Sequence, residues 1–175
     1  MPLHSPSYRL VALNDLRNML GAQVASTGSS KMLEKVIHNL GVDDIILKQT
    51  TAKDIVRKYG KAYDFYDIDG NSLEMKFMLQ DFSCFFLQKD PDMKIHVVRM
   101  WKDCPAFQKH NDEVASGFGE AMSLHDVFTF YREQVESRNS YDGTCYVDYG
   151  FYRYHFIPEG APDEYIPIES IVIKR

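Results

Sequence analysis

The sequence predicts an α+β fold: two tandem helix-strand-strand-strand repeats forming antiparallel sheet with helices on one face, preceded by an N-terminal helical hairpin. Three observations carry this. A capped helix motif occurs twice, an Asp-Gly pair follows each copy, and each pair leads into stretches of alternating or aromatic residues. The expected organisation is a hairpin over 1–44, a first unit over 45–101, a connector over 102–118 and a second unit over 119–175, together forming one compact domain.

In chain order, residues 13–20 (Leu13, Leu16, Met19, Leu20) and 31–40 (Met32, Leu33, Val36, Ile37, Leu40) have helical spacing. Gly21 and Gly41 stand where glycines end helices, and Ser29 or Ser30 suits the second N-cap. Thr51-Ala52-Lys53-Asp54-Ile55-Val56 then matches Ser123-Leu124-His125-Asp126-Val127-Phe128, 72 residues on, and Tyr59 matches Tyr131. A Thr or Ser hydroxyl accepts from first-turn amides, and an acid three places later reaches back to the cap. The apolar positions that follow form one helical face.

Asp69-Gly70 and Asp142-Gly143 read as turns into strands. Leu73, Met75 and Phe77 alternate with polar residues, and Cys145-Tyr146-Val147-Asp148-Tyr149 is the counterpart. The aromatic strands 82–87 and 151–156 come next, and each unit closes on a third strand, 95–100 or 168–173. Residues 102–120, with Pro105, Gly117 and Gly119, read as a polar connector between the units.

Composition excludes several functions. Lys and Arg number 20 against 25 Asp and Glu, a net charge of −5, so no basic surplus exists to neutralise phosphates and nucleic acid is not an expected partner. No apolar run approaches the ~20 residues of a membrane helix, so no membrane is expected either. The N-terminus has neither a signal-peptide pattern nor a lipobox cysteine, which places the expected location in the cytoplasm. Cys84, Cys104 and Cys145 read as reduced thiols without metal spacing, and no cofactor is expected.

No catalytic motif stands out. Asp67-Ile68-Asp69-Gly70-Asn71 resembles a calcium loop, but the required acidic positions hold Phe65 and Lys76, so a hairpin turn is expected. There is no nucleophile elbow, P-loop or dinucleotide fingerprint. A dyad of Cys84, Cys104 or Cys145 with His110 or His155 stays open, since such pairs meet only in space.

The pattern of Thr51, Asp54, Ile55, Tyr59 and Gly60, with Ser123, Asp126, Val127, Tyr131, Gly150 and the closing Ile171-Val172-Ile173, resembles the repeat of the β-lactamase inhibitory protein fold. Similar units occur in BamE/SmpA outer-membrane lipoproteins, and the likeness covers 45–101 and 119–175. The second unit departs from it in having Arg132 where the helix-ending glycine would stand. The resemblance implies protein binding, sometimes inhibitory, across an aromatic sheet face.

The expected function is therefore a non-enzymatic protein-binding module, an immunity or inhibitor protein whose partner is a toxin or enzyme. The candidate partner-binding residues are Tyr146, Asp148, Tyr152 and Tyr154. The acids Asp142, Asp148, Glu159, Asp163, Glu164 and Glu169 would suit a basic partner if they cluster. The alternative is a small-ligand-binding or enzymatic domain with a pocket between the repeats.

Overall fold

A computed structural model describes residues 31–60, 64–68, 70–117, 119–159 and 163–175. The expected helix over 13–20 lies outside them. The second half of the expected hairpin is not helical. Residues 31–50 instead hold a meander of three short strands, β1 (Val36–Ile37), β2 (Gly41–Val42) and β3 (Ile45–Ile46).

Two contacts explain the change. The Asp43 carboxylate accepts from the amides of Glu34 and Lys35, at 2.8 and 2.9 Å, taking donors a helix would have used. Gly41 meets Ile45 so closely that an added Cβ would lie 1.8 Å from the Ile45 carbonyl oxygen. That glycine serves a close approach rather than a helix end.

The remaining elements are α1 (Ala52–Tyr59), β4 (Asp64–Asp67), β5 (Ser72–Phe77), β6 (Phe82–Leu87), β7 (Ile95–Trp101) and α2 (Pro105–Val114). They continue with α3 (Leu124–Tyr131), β8 (Arg138–Asn139), β9 (Cys145–Asp148), β10 (Tyr152–Phe156) and β11 (Ser170–Lys174). Strands β4 to β11 make one antiparallel sheet of eight in the order β4-β5-β6-β7-β11-β10-β9-β8. Both expected capping boxes are present, Thr51 with Asp54 and Ser123 with Asp126. Arg132 ends α3 in the left-handed conformation, at φ 54°, so a non-glycine residue serves there.

Two further expectations change. Each expected triplet of strands gains a fourth at the sheet edge, β4 or β8. The segment expected as a connector contains α2, whose Pro105 stands at the first helical turn, where a missing N–H and a fixed φ do no harm.

The two halves of the sheet share local geometry. The amide of Ala52 donates to Met93 and that of Leu124 to Ile166, while Ile95 donates to Thr50 and Ile168 to Met122. Each helix thus starts against the residues leading into the strand that closes its own group, and the closing strands β7 and β11 pair with each other at mid-sheet.

Alternation divides the sheet into two faces. One carries Met75, Cys84, Phe86, Val98, Met100, Ile171, Ile173 and Tyr154, which join a core with Ile55 and Val56 of α1, Phe107 of α2 and Val127 of α3. The opposite face carries Glu74, Lys76, Ser83, Phe85, Arg99, Trp101, Ser170, Val172, Arg153 and His155 in register across the strands. Its Phe85 and Val172 are buried but lie outside that core. We call this second surface the open face.

Candidate functional site on the open face

Arg99 organises the open face. It is 4% exposed, and each nitrogen of its guanidinium donates a hydrogen bond. Nε donates to Ser170 Oγ at 2.9 Å, Nη1 to Asp142 Oδ2 at 2.6 Å and Nη2 to Glu169 Oε2 at 3.1 Å. Trp101 Nε1 donates to the other oxygen of Glu169 at 3.0 Å, and the Arg99 guanidinium lies 5.0 Å from the Trp101 ring centre. One buried cation is thereby shared between two carboxylates, an arrangement that fixes side chains as well as neutralising them.

Asp142 lies in the β8–β9 turn, and β9 is three strands from β7 in the sheet. Strands are spaced ~4.8 Å apart, and Tyr141 of the same turn contacts Glu74 on β5, five strands from β9, a gap of roughly 24 Å that the two side chains cannot span. The turn therefore folds back over the open face. Thr144 anchors it, with Oγ1 donating to Asp142 Oδ1 at 2.6 Å and lying 2.8 Å from His155 Nδ1. Burial works to raise the Asp142 pKa, but bonds from Thr144 and Arg99 outweigh it and hold the carboxyl well below the usual range. Farther along the turn, Tyr141 Oη reaches Glu74 Oε2 on β5 at 3.4 Å.

Between this turn and the β4–β5 hairpin lies a groove of about 340 Å³, lined chiefly by Tyr66, Glu74, Lys76, Arg99, Trp101 and Tyr141. Tyr66 and Tyr141 are 44% and 61% exposed. Glu74 at its floor is 6% exposed, and desolvation raises its pKa despite the nearby Arg99 and Lys76 charges. A separate cavity of about 570 Å³ beside α3 is lined by Leu124, Phe128, Cys145, Phe156 and Glu164, among others.

The four residues expected to bind a partner do not share a face. Tyr146 pairs with His155 and Asp148 with Arg153, which puts both on the open face, half-buried. The Arg153 guanidinium lies 4.2 Å from the Tyr146 ring centre, and Asp148 accepts from Arg153 and Lys174, each at 3.1 Å. Tyr152 and Tyr154 point the other way, because strand alternation separates them from Arg153 and His155. Tyr154 is fully buried, with its hydroxyl 2.8 Å from His110 Nε2 and 2.7 Å from Tyr131 Oη. Tyr152 stacks on His110 at 4.5 Å between ring centres. The expected acids divide likewise: Asp142, Asp148 and Glu169 are paired on the open face, while Glu159, Asp163 and Glu164 line the cavity beside α3.

Neither histidine considered for a thiol dyad bonds a cysteine among the described residues. His110 engages Tyr154 and Glu113, and His155 engages Thr144. Burial pushes the Cys104 thiol up to about 11, away from thiolate reactivity. Among the described residues no cluster of ligands suits a metal ion, and no helix is long and apolar enough to cross a membrane.

Arg99, Trp101, Glu74 and Tyr141 were not expected as site residues, and Glu169 only as one of the acids that would suit a basic partner. A signal existed in β7, where Val97, Arg99 and Trp101 alternate with Val98 and Met100. The chain's one Trp and an Arg on the same side of a strand already suggest a surface distinct from the core. No family model, curated protein or solved structure matches the chain.

Proposed function

We propose that this chain is a non-enzymatic protein-binding module of the immunity or inhibitor type, and that it engages its partner through the open face. The observation that carries the reading is a sheet surface bearing Tyr66, Trp101, Tyr141 and Tyr146 around a pre-formed Arg99 ion-pair network. Aromatic rings held by a scaffold lose little conformational freedom on contact, and fixed charge pairs select the partner's register. We read the matching caps, the matching helix-to-strand bonds and the central β7–β11 pair as support for two tandem copies of one ancestral unit. An antiparallel sheet built this way, with its helices on one face, is what the resemblance to the β-lactamase inhibitory protein fold leads one to expect.

The test is a complex reconstituted with a partner identified by affinity capture and mass spectrometry. Trp101→Ala and Tyr146→Ala should each weaken it more than tenfold by calorimetry. Unchanged affinity in both variants, with the fold intact by circular dichroism, would overturn the assignment of the open face.

A further inference from the structure

We infer that the groove on the open face receives an arginine side chain from the protein partner, held by the Glu74 carboxylate between the rings of Tyr66 and Tyr141. This rests on the protein-binding reading and names the chemistry of its central contact. Charge arithmetic comes first. Glu74 and Asp142 line the groove against Lys76 and Arg99, and Glu169 takes part of the Arg99 charge as well. Three carboxylates thus stand against two cations. Arg99 is consumed by Asp142 and Glu169, and the Lys76 ammonium lies 4.7 Å from the Trp101 ring centre.

Glu74 is left as the poorly compensated member. It is nine-tenths buried at the groove floor, and among the described residues its one hydrogen bond is the 3.4 Å contact from Tyr141. A buried carboxylate with so little donation is destabilising by itself, and an incoming cation would repair it. The walls decide between the two basic side chains. A guanidinium is planar, stacks on tyrosine faces and donates two bonds to one carboxylate. A lysine ammonium is more strongly hydrated and offers no plane to stack. The volume, about 340 Å³, is at the small end of ligand-sized cavities, which fits a single side chain.

Because Trp101 is the chain's one tryptophan and lines this groove, its fluorescence reports entry. The probe is N-acetyl-arginine amide, with N-acetyl-citrulline amide as its uncharged near-isostere. A saturable fluorescence change is expected with the arginine probe and not with citrulline. Glu74→Gln should reduce the arginine affinity at least tenfold while keeping or raising the melting temperature, since it removes a buried charge. Tyr141→Ala should weaken binding without altering the fold. An equal response to both probes, no saturable response to arginine, or undiminished binding by Glu74→Gln overturns the inference. If the reconstituted complex is weakened by Trp101→Ala and Tyr146→Ala but not by Glu74→Gln, the arginine contact fails and the protein-binding face stands.

Discussion

The two faces of the large sheet use the same residue types to opposite ends. On the helix-covered face, Tyr154 places its hydroxyl between His110 and Tyr131, and Tyr131 stacks on Tyr149 at 3.9 Å between ring centres. The hydroxyls of Tyr154 and Tyr131 find partners inside, so these rings act as core. On the open face, Tyr66 and Tyr141 keep much of their surface in water while charged groups tie one another in place. A tyrosine-rich strand therefore says little about binding until its register is known. What separates a structural tyrosine from a presented one is which side of the sheet it occupies.

The largest expected effect breaks the covered face. Tyr154→Ala removes a fully buried ring and leaves a cavity, which should destabilise the fold by about 3–5 kcal/mol in urea unfolding. Tyr154→Phe keeps the ring but deprives His110 and Tyr131 of their common partner, for about 1–3 kcal/mol. Neither should touch partner affinity except through unfolding. A loss below about 1 kcal/mol for the alanine variant would contradict a packed core at this position.

How much of this was legible follows from the range of each interaction. The two capping boxes are set by residues three apart, and strand alternation by residues two apart, so Thr51, Asp54, Ser123 and Asp126 announced themselves. The segment 31–40 misled because Met32, Leu33, Val36, Ile37 and Leu40 fit a helical period, while the Asp43 carboxylate and the Ile45 carbonyl impose strands. Helix α2 is hidden because Pro105, Gly117 and Gly119 give 102–120 the composition of a connector, although Ala106, Phe107, His110 and Val114 keep a helical face. The Arg99 site was beyond reach for another reason: its carboxylates stand 43 and 70 residues away. Tyr146 and Asp148 were also divided from Tyr152 and Tyr154 by the β9–β10 register, which no local pattern dictates.

A smaller effect sharpens the comparison through pH. Thr144 Oγ1 gives its one proton to Asp142, so His155 Nδ1 must be the donor in their contact and Nε2 carries the lone pair. Nε2 is buried with no hydrogen-bond partner among the described residues. Burial, helped by the Arg99 charge, pushes the His155 pKa down to about 3. The unfolded chain takes up this proton below about 6.5, whereas the folded chain resists until about 3. Stability should fall as pH drops through that window, by a few kcal/mol, since each pKa unit is about 1.4 kcal/mol. His155→Gln should flatten that part of the profile in chemical denaturation between pH 7 and 4. An unchanged slope would mean that His155 is hydrated rather than sealed beneath the folded-over β8–β9 turn.

The smallest stability effect separates the two roles most cleanly. Tyr66 stands on the edge strand β4 opposite Glu74, 44% exposed, and its hydroxyl makes a long 3.4 Å contact with Asp64. Truncation there opens no cavity, so Tyr66→Ala should shift unfolding stability by about 0.5 kcal/mol or less. If the groove is the binding surface, the same change should weaken the partner complex tenfold or more, the reverse of what Tyr154→Phe does. A Tyr66→Ala variant that loses as much stability as Tyr154→Phe would place Tyr66 in a packed environment. The contrast between covered and open faces would then collapse at this edge of the sheet. Equal stability with undiminished affinity would instead confine the binding surface to the Trp101 and Tyr146 side of the open face.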